Sequence, residues 1–181
     1  MNVFYTDHDP IQAADWLCDQ HTSKMILETA QMQCTAIRRH TGHYDTPREE
    51  LPADLKWLYK TAHPKHGSTL WVGDSFLNFK WSFQHVAAMH SQHLWRFGTR
   101  HKSYLICKKA FKYAWEKHNE GKCLFPQLMR TEPYMAFGPD LEHLKDPSDP
   151  VGSYREFYNI DKRKFATWTN VEPPFWWRGE V

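Results

Sequence analysis

The chain has no apolar run approaching the length of a membrane-spanning helix, and its first residues lack the basic-then-apolar order of a secretory signal. Both absences predict a soluble, cytoplasmic protein with no membrane partner. Its cysteines, Cys18, Cys34, Cys107 and Cys123, are widely spaced and form no C-x-x-C pair, which argues against a disulfide framework or a structural zinc site. There is no H-E-x-x-H motif. The histidine pairs His63/His66 and His90/His93 lack a third ligand at standard spacing, so no metal and no cofactor is expected. Convincing strands, repeats and low-complexity stretches are missing too. Charge of one sign is scarce: 23 basic and 21 acidic residues leave +2, which permits a nucleic-acid partner without demanding one.

What is present is a chain of 181 residues, suited to one domain with a sizeable core, and many aromatics, with nine Trp, eight Tyr and eleven Phe to fill it. Apolar residues at helical spacing predict one long helix from Pro10 to about Arg39, started by Asp9, Pro10 and Gln12 and closed by basic residues before Gly42. A short helix is expected from Pro52 to about Thr61, then a turn over His63–Gly67. A long aromatic helix follows from Leu70 to Phe97, with an interruption at Gly73-Asp74 and Gly98 as its stop. Tyr104 to His118 reads as another helix, and Pro150 starts a last one carrying Tyr154, Phe157, Tyr158 and Phe165 on its apolar positions. Residues 122–149 read as irregular, and the aromatic tail, 168–181, is expected to pack back on the body. The predicted architecture is a single all-α domain, a monomer or small homo-oligomer, with a long central N-terminal helix and irregular connections.

On the first long helix His21, Lys24 and Glu28 share a stripe with Leu17, Cys18, Met25 and Met32. An imidazole, an amine and a carboxylate on an oily surface are costly unless they pair with each other or with a ligand. Such a trio can supply an orienting group, a nucleophile and an acid–base group. It also reads as a structural salt-bridge cluster, because Lys and Glu at i and i+4 pair in ordinary helices. His63 and His66 precede a helix N-terminus, a place to meet phosphate. The basic residues Arg96, Arg100, His101, Lys102, Lys108, Lys109 and Lys112 can follow a phosphate backbone or simply form a solvated face. Trp168, Phe175, Trp176 and Trp177 can stack on bases or on the protein itself.

The run Leu17-Cys18-Asp19-Gln20-His21, with Glu28 seven residues after the histidine, resembles the first helix of the phage pyrimidine-dimer DNA glycosylase/AP lyase family of the endonuclease V type. The stretch His66-Gly67-Ser68-Thr69-Leu70-Trp71, followed by Phe76-Leu77 and the helix to Arg96-Phe97-Gly98, is similar to a second part of that family. The tail is a looser echo, and the opening from Asn2 to Gln31 also resembles small phage-encoded proteins, which places the chain in an infected bacterial cell. The resemblance covers about a third of the chain. It implies an all-α enzyme that flips a nucleotide, attacks the sugar C1′ with an amine and cleaves through an imine, acting on a damaged or modified base. Glu28 would stabilise the sugar cation and move protons, and His21 would match an active-site histidine. The expected substrate-binding residues are His63, His66, Trp71, Asn78, Arg96, His101, Lys102, Tyr154 and Trp176.

Two departures bear on that expectation. The family's amine belongs to a small second residue exposed by removal of Met, whereas residue 2 here is the bulky Asn2. The amine is then that of Met1, or that of Lys24, or imine chemistry is lost. The low net charge also suits a nucleotide-sized substrate better than a scanned duplex. Two other readings therefore stand beside the glycosylase: a nucleotide-processing or counter-defence enzyme acting on a small nucleotide, and a non-catalytic nucleic-acid-binding module.

Overall fold

A computed structural model describes residues 1–179, so Glu180 and Val181, at the end of the aromatic tail, lie outside the described residues. The fold is all-α, and the described residues contain no strand. The helices are α1 (Pro10–Asp15), α2 (Asp19–His40), α3 (Gly67–Asp74), α4 (Phe76–Phe97), α5 (Ser103–Asn119) and α6 (Pro150–Asp161), joined by short 3-10 turns at Arg48–Glu50, Ala53–Leu55 and Pro139–Leu144.

Helix α2 is the axis of the molecule. It packs against α3, α4 and α5, and buries Met25, Ile26, Ala30, Met32, Cys34, Ala36 and Ile37. Burying a helix on several sides needs apolar residues on more than one face, and α2 carries them. Helix α1 packs on α4. Asp9 starts it by accepting from the backbone N–H groups of Ile11 and Gln12, with Pro10 at the first helical position, as the sequence predicts.

The expected single helix from Pro10 to Arg39 is in fact two. The chain opens at Trp16–Cys18, and distant side chains take the main-chain groups released there. Arg96 donates to the carbonyls of Asp15 and Leu17 at 3.0 and 2.7 Å, Trp168 Nε1 donates to that of Trp16, and the Cys18 N–H donates to the Tyr158 hydroxyl at 2.9 Å. Periodicity runs through the break because the residues that make it lie far off in sequence.

The interruption expected at Gly73-Asp74 comes one residue later: both are the last residues of α3, which starts already at Gly67, and the break is made by Ser75, whose Oγ accepts from the Asn78 N–H. Gly98 closes α4 in the left-handed region at φ 68°. The expected helix from Pro52 to Thr61 is replaced by the Ala53–Leu55 turn and an extended strap over α2. Arg38 Nε holds the strap through the Tyr59 carbonyl at 2.7 Å, and Thr35 Oγ1 accepts from the Ala62 N–H at 3.0 Å. The tail packs back as far as it is described. Trp176 lies edge-on to Trp16 and Tyr158, its carbonyl accepts from Asn159, and Phe175 stays exposed.

Candidate active site around Met1 and Glu28

The N-terminal segment is buried, and Asn2 sets its path. Its Oδ1 accepts from the N–H groups of Val3 and Phe4 at 2.8 and 3.0 Å, and its Nδ2 donates to the Ala136 carbonyl at 3.0 Å. The Tyr154 hydroxyl sits 3.0 Å from the same Oδ1 and 2.9 Å from the Tyr134 carbonyl. These bonds hold Phe4 at φ 45°, a left-handed backbone that costs a phenylalanine about 1–2 kcal/mol. The result is that Phe4 stacks on the His21 ring at 4.1 Å and that the Met1 amine is delivered to α2.

That amine lies 3.6 Å from Glu28 Oε2, and Lys24 Nζ lies 3.6 Å from Oε1 of the same carboxylate. The two amines differ in setting. The Met1 side chain is 2 % exposed, whereas that of Lys24 is 69 % exposed. Met1 is thus held by the fold, and Lys24 reaches in from solvent. A cavity of about 290 Å³ opens here, with Met1, Phe4, His21, Lys24, Glu28 and Lys162 in its wall.

His21 is buried. Its Nδ1 lies 2.7 Å from the Tyr158 hydroxyl, whose oxygen also accepts from the Cys18 N–H. This hydrogen bond fixes the ring's orientation and leaves Nε2 free of it. Burial, helped by the charges of Lys162 and Lys24, pushes the imidazole pKa down to about 3. His21 is therefore a neutral, fixed ring and not a cation. His66 is a second imidazole near the pair. Its Nδ1 accepts from the Ser68 N–H at the start of α3. Burial lowers its pKa, the Met1 ammonium and His63 lower it further, and Glu28 acts in the opposite sense. Tyr134 stands edge-on to this ring and packs so closely on Gly67 that a Cβ there would meet Tyr134 Cγ at 2.2 Å.

Of the residues picked out in the sequence, the fold brings His21, Lys24, Glu28 and Met1 to one cavity, with His66 close by. Tyr154 does not line the cavity and acts on it through Asn2 and through its edge-on contact with Phe4. His63 is exposed on the turn before α3, at φ 44°. The others lie elsewhere and have structural partners. Trp71 and Asn78 are buried and bind Thr131, which ties the irregular stretch to α3 and α4. Arg96 is buried against Asp19, 3.3 Å away, and the opened turn. His101 accepts from the Ser103 N–H, and Lys102 joins Lys108, Lys109 and Lys112 around a separate cavity between α5 and Tyr59. Trp176 belongs to the tail cluster.

Sequence reasoning missed Asn2 as an anchor, Phe4 as the ring under His21, and Lys162. Asn2 was weighed only for its bulk. For Lys162 a signal exists: the stripe Tyr154, Tyr158, Asp161/Lys162, Phe165 repeats at helical spacing and carries a charge pair at its end. Lys162 also sits over the Phe4 and Phe157 rings, at 5.5 and 4.8 Å. An amine beside a carboxylate, a neutral fixed imidazole and further cations at the rim are suited to nucleophilic attack with proton transfer on an anionic substrate. No protein-family model, curated protein or solved structure matches this chain.

Proposed function

We propose that the protein is a DNA N-glycosylase-like enzyme acting on a damaged or modified base, with imine-based lyase activity. The observation that carries this reading is the Met1 amine 3.6 Å from Glu28, in a cavity walled by Phe4 and His21, with the Met1 side chain packed into the core. The unprotonated amine attacks the sugar C1′, and the base leaves with the bonding electron pair and takes up a proton. Opening of the sugar ring gives an iminium, and loss of a C2′ proton then expels the 3′ phosphate. Glu28 is placed to take the proton from the amine and to stabilise positive charge at the sugar. The His21 imidazole orients the sugar or base, and Lys24 and Lys162 face the anionic backbone.

The test is borohydride trapping on an oligonucleotide with an abasic site. A stable adduct with wild-type protein that disappears in Glu28→Gln supports the reading. No adduct on abasic or damaged DNA contradicts it.

A second reading keeps the cavity and changes the substrate to a small free nucleotide; the net charge of +2 favours it. Turnover of a nucleotide with weak, salt-insensitive DNA binding would select it over the first.

A further inference from the structure

Two more cavities lie farther along α2 from the Met1–Glu28 cavity. One turn along α2, Leu27 and Gln31 line a second cavity together with Lys60, Thr61 and Ala62 of the strap. Arg48, Lys60 and Thr61 are shared with a third, of about 350 Å³, which ends at Arg38. The first cavity shares no lining residue with the second, but Lys24 and Glu28 stand one helical turn before Leu27 and Gln31, so the three follow one another along α2 from Lys24 to Arg38.

The far end is cationic for a structural reason. Arg38 is 1 % exposed, and its bonds go only to carbonyl oxygens, those of Tyr59, His43 and Thr46. Its Nη2 has no acceptor, and among the described residues no carboxylate lies within 4.0 Å of Arg38, Arg48 or Lys60. A buried guanidinium without a counterion keeps its field. Arg48 and Lys60 are exposed, so they can turn toward a ligand. Asp45 and Glu49 also border this cavity, two carboxylates against three cations.

The spacing has a meaning. Ten residues separate Glu28 from Arg38, about 15 Å of helix at 1.5 Å per residue. At about 3.4 Å per nucleotide along a strand, that is roughly four nucleotides. We propose that this series of cavities is a track for a nucleic-acid strand, which leaves the Met1–Glu28 site along α2 and has its phosphates held by Lys60 and Arg48 beside Arg38. The proposal rests on the nucleic-acid reading of that site. It differs from the basic-patch expectation, which puts the phosphates on the lysines of α5; these line a further cavity that borders the second one at Tyr59 and is not on the path to Arg38.

The experiment measures binding of an unmodified 20-mer duplex and a 20-mer single strand across a salt series, so no chemistry is needed. Arg48→Ala/Lys60→Ala is compared with Lys108→Ala/Lys109→Ala, which removes the same charge. The track predicts that the first pair weakens binding at least tenfold and lowers the log–log salt slope by roughly 2, while the second leaves the slope unchanged. An unchanged slope in the first pair, an equal loss in both pairs, or no oligonucleotide binding by the wild type overturns it. Lys60→Glu alone serves as a second variant should the double substitution disturb folding. Slope loss in Arg48→Ala/Lys60→Ala without borohydride trapping leaves the track standing and removes the imine reaction, so the two failures are distinguishable.

Discussion

Glu28 lies 3.6 Å from two amines, that of Met1, whose side chain is packed into the core, and the solvent-reaching one of Lys24. A carboxylate that serves a nearby amine as base should be needed for rate and hardly for folding. Glu28→Gln is therefore expected to lower turnover about 100- to 10,000-fold. Its urea unfolding midpoint should stay close to wild type. Full activity with a lowered midpoint would return Glu28 to a structural role.

Asn2 makes the amine's position depend on a single side chain. Asn2→Ala leaves the N–H groups of Val3 and Phe4 and the Ala136 carbonyl without their partner. A loss of about 1–3 kcal/mol is expected from the unmet buried groups. Activity should fall further than this destabilisation explains, because Phe4 and Met1 move together. Equilibrium unfolding and initial rates, measured at a temperature where the variant is folded, check both parts.

Arg96 separates the fold from the site. The sequence places it in a phosphate-binding patch, whereas in the structure it seals the opened turn between α1 and α2. Arg96→Ala is expected to destabilise by about 3–5 kcal/mol, since it strands the carbonyls of Asp15 and Leu17 and removes the charge partner of Asp19, which keeps only its bonds from Thr167 and Thr169. The substrate KM of whatever remains folded should change little. A raised KM at unchanged stability would restore the binding role.

Two histidines give the stability a pH dependence of known sign. Burial lowers both His21 and His85 from 6.5 to about 3 in the folded protein. Below pH 6.5 the unfolded chain binds protons that the folded one refuses, so stability falls as pH drops from 6.5 toward about 3. Urea unfolding at pH 7.5, 6.0 and 4.5 should show midpoints falling in that order. His85→Phe should flatten the dependence by about one proton, as its neighbour Trp81 already stacks on the ring. An unchanged slope in His85→Phe would mean that His85 is accessible to protons when folded.

The fold was legible where local chemistry decides it. Asp9 and Pro10, Gly98 and Asp149 mark helix ends by their own side chains or φ angles, and the structure has helix ends at each, while the interruption expected at Gly73-Asp74 falls just after them, at Ser75. It was not legible at Trp16–Cys18 or along the strap after Pro52, where Arg96, Trp168, Tyr158 and Arg38 act from far away in sequence. The site divides in the same way. Helical spacing alone puts His21, Lys24 and Glu28 on one side of α2. The approach of Met1, guided by Asn2, Phe4 and Tyr154, is a tertiary event that no spacing rule encodes.

Which amine reacts is the question on which the account turns. After borohydride reduction on an abasic oligonucleotide, peptide mapping of the trapped protein locates the bond. The fixed position of the Met1 amine, 3.6 Å from Glu28, predicts the adduct on that amine, with trapping abolished by a residue added before Met1 and retained in Lys24→Ala. An adduct on Lys24, or trapping that survives a blocked N-terminus, would contradict it.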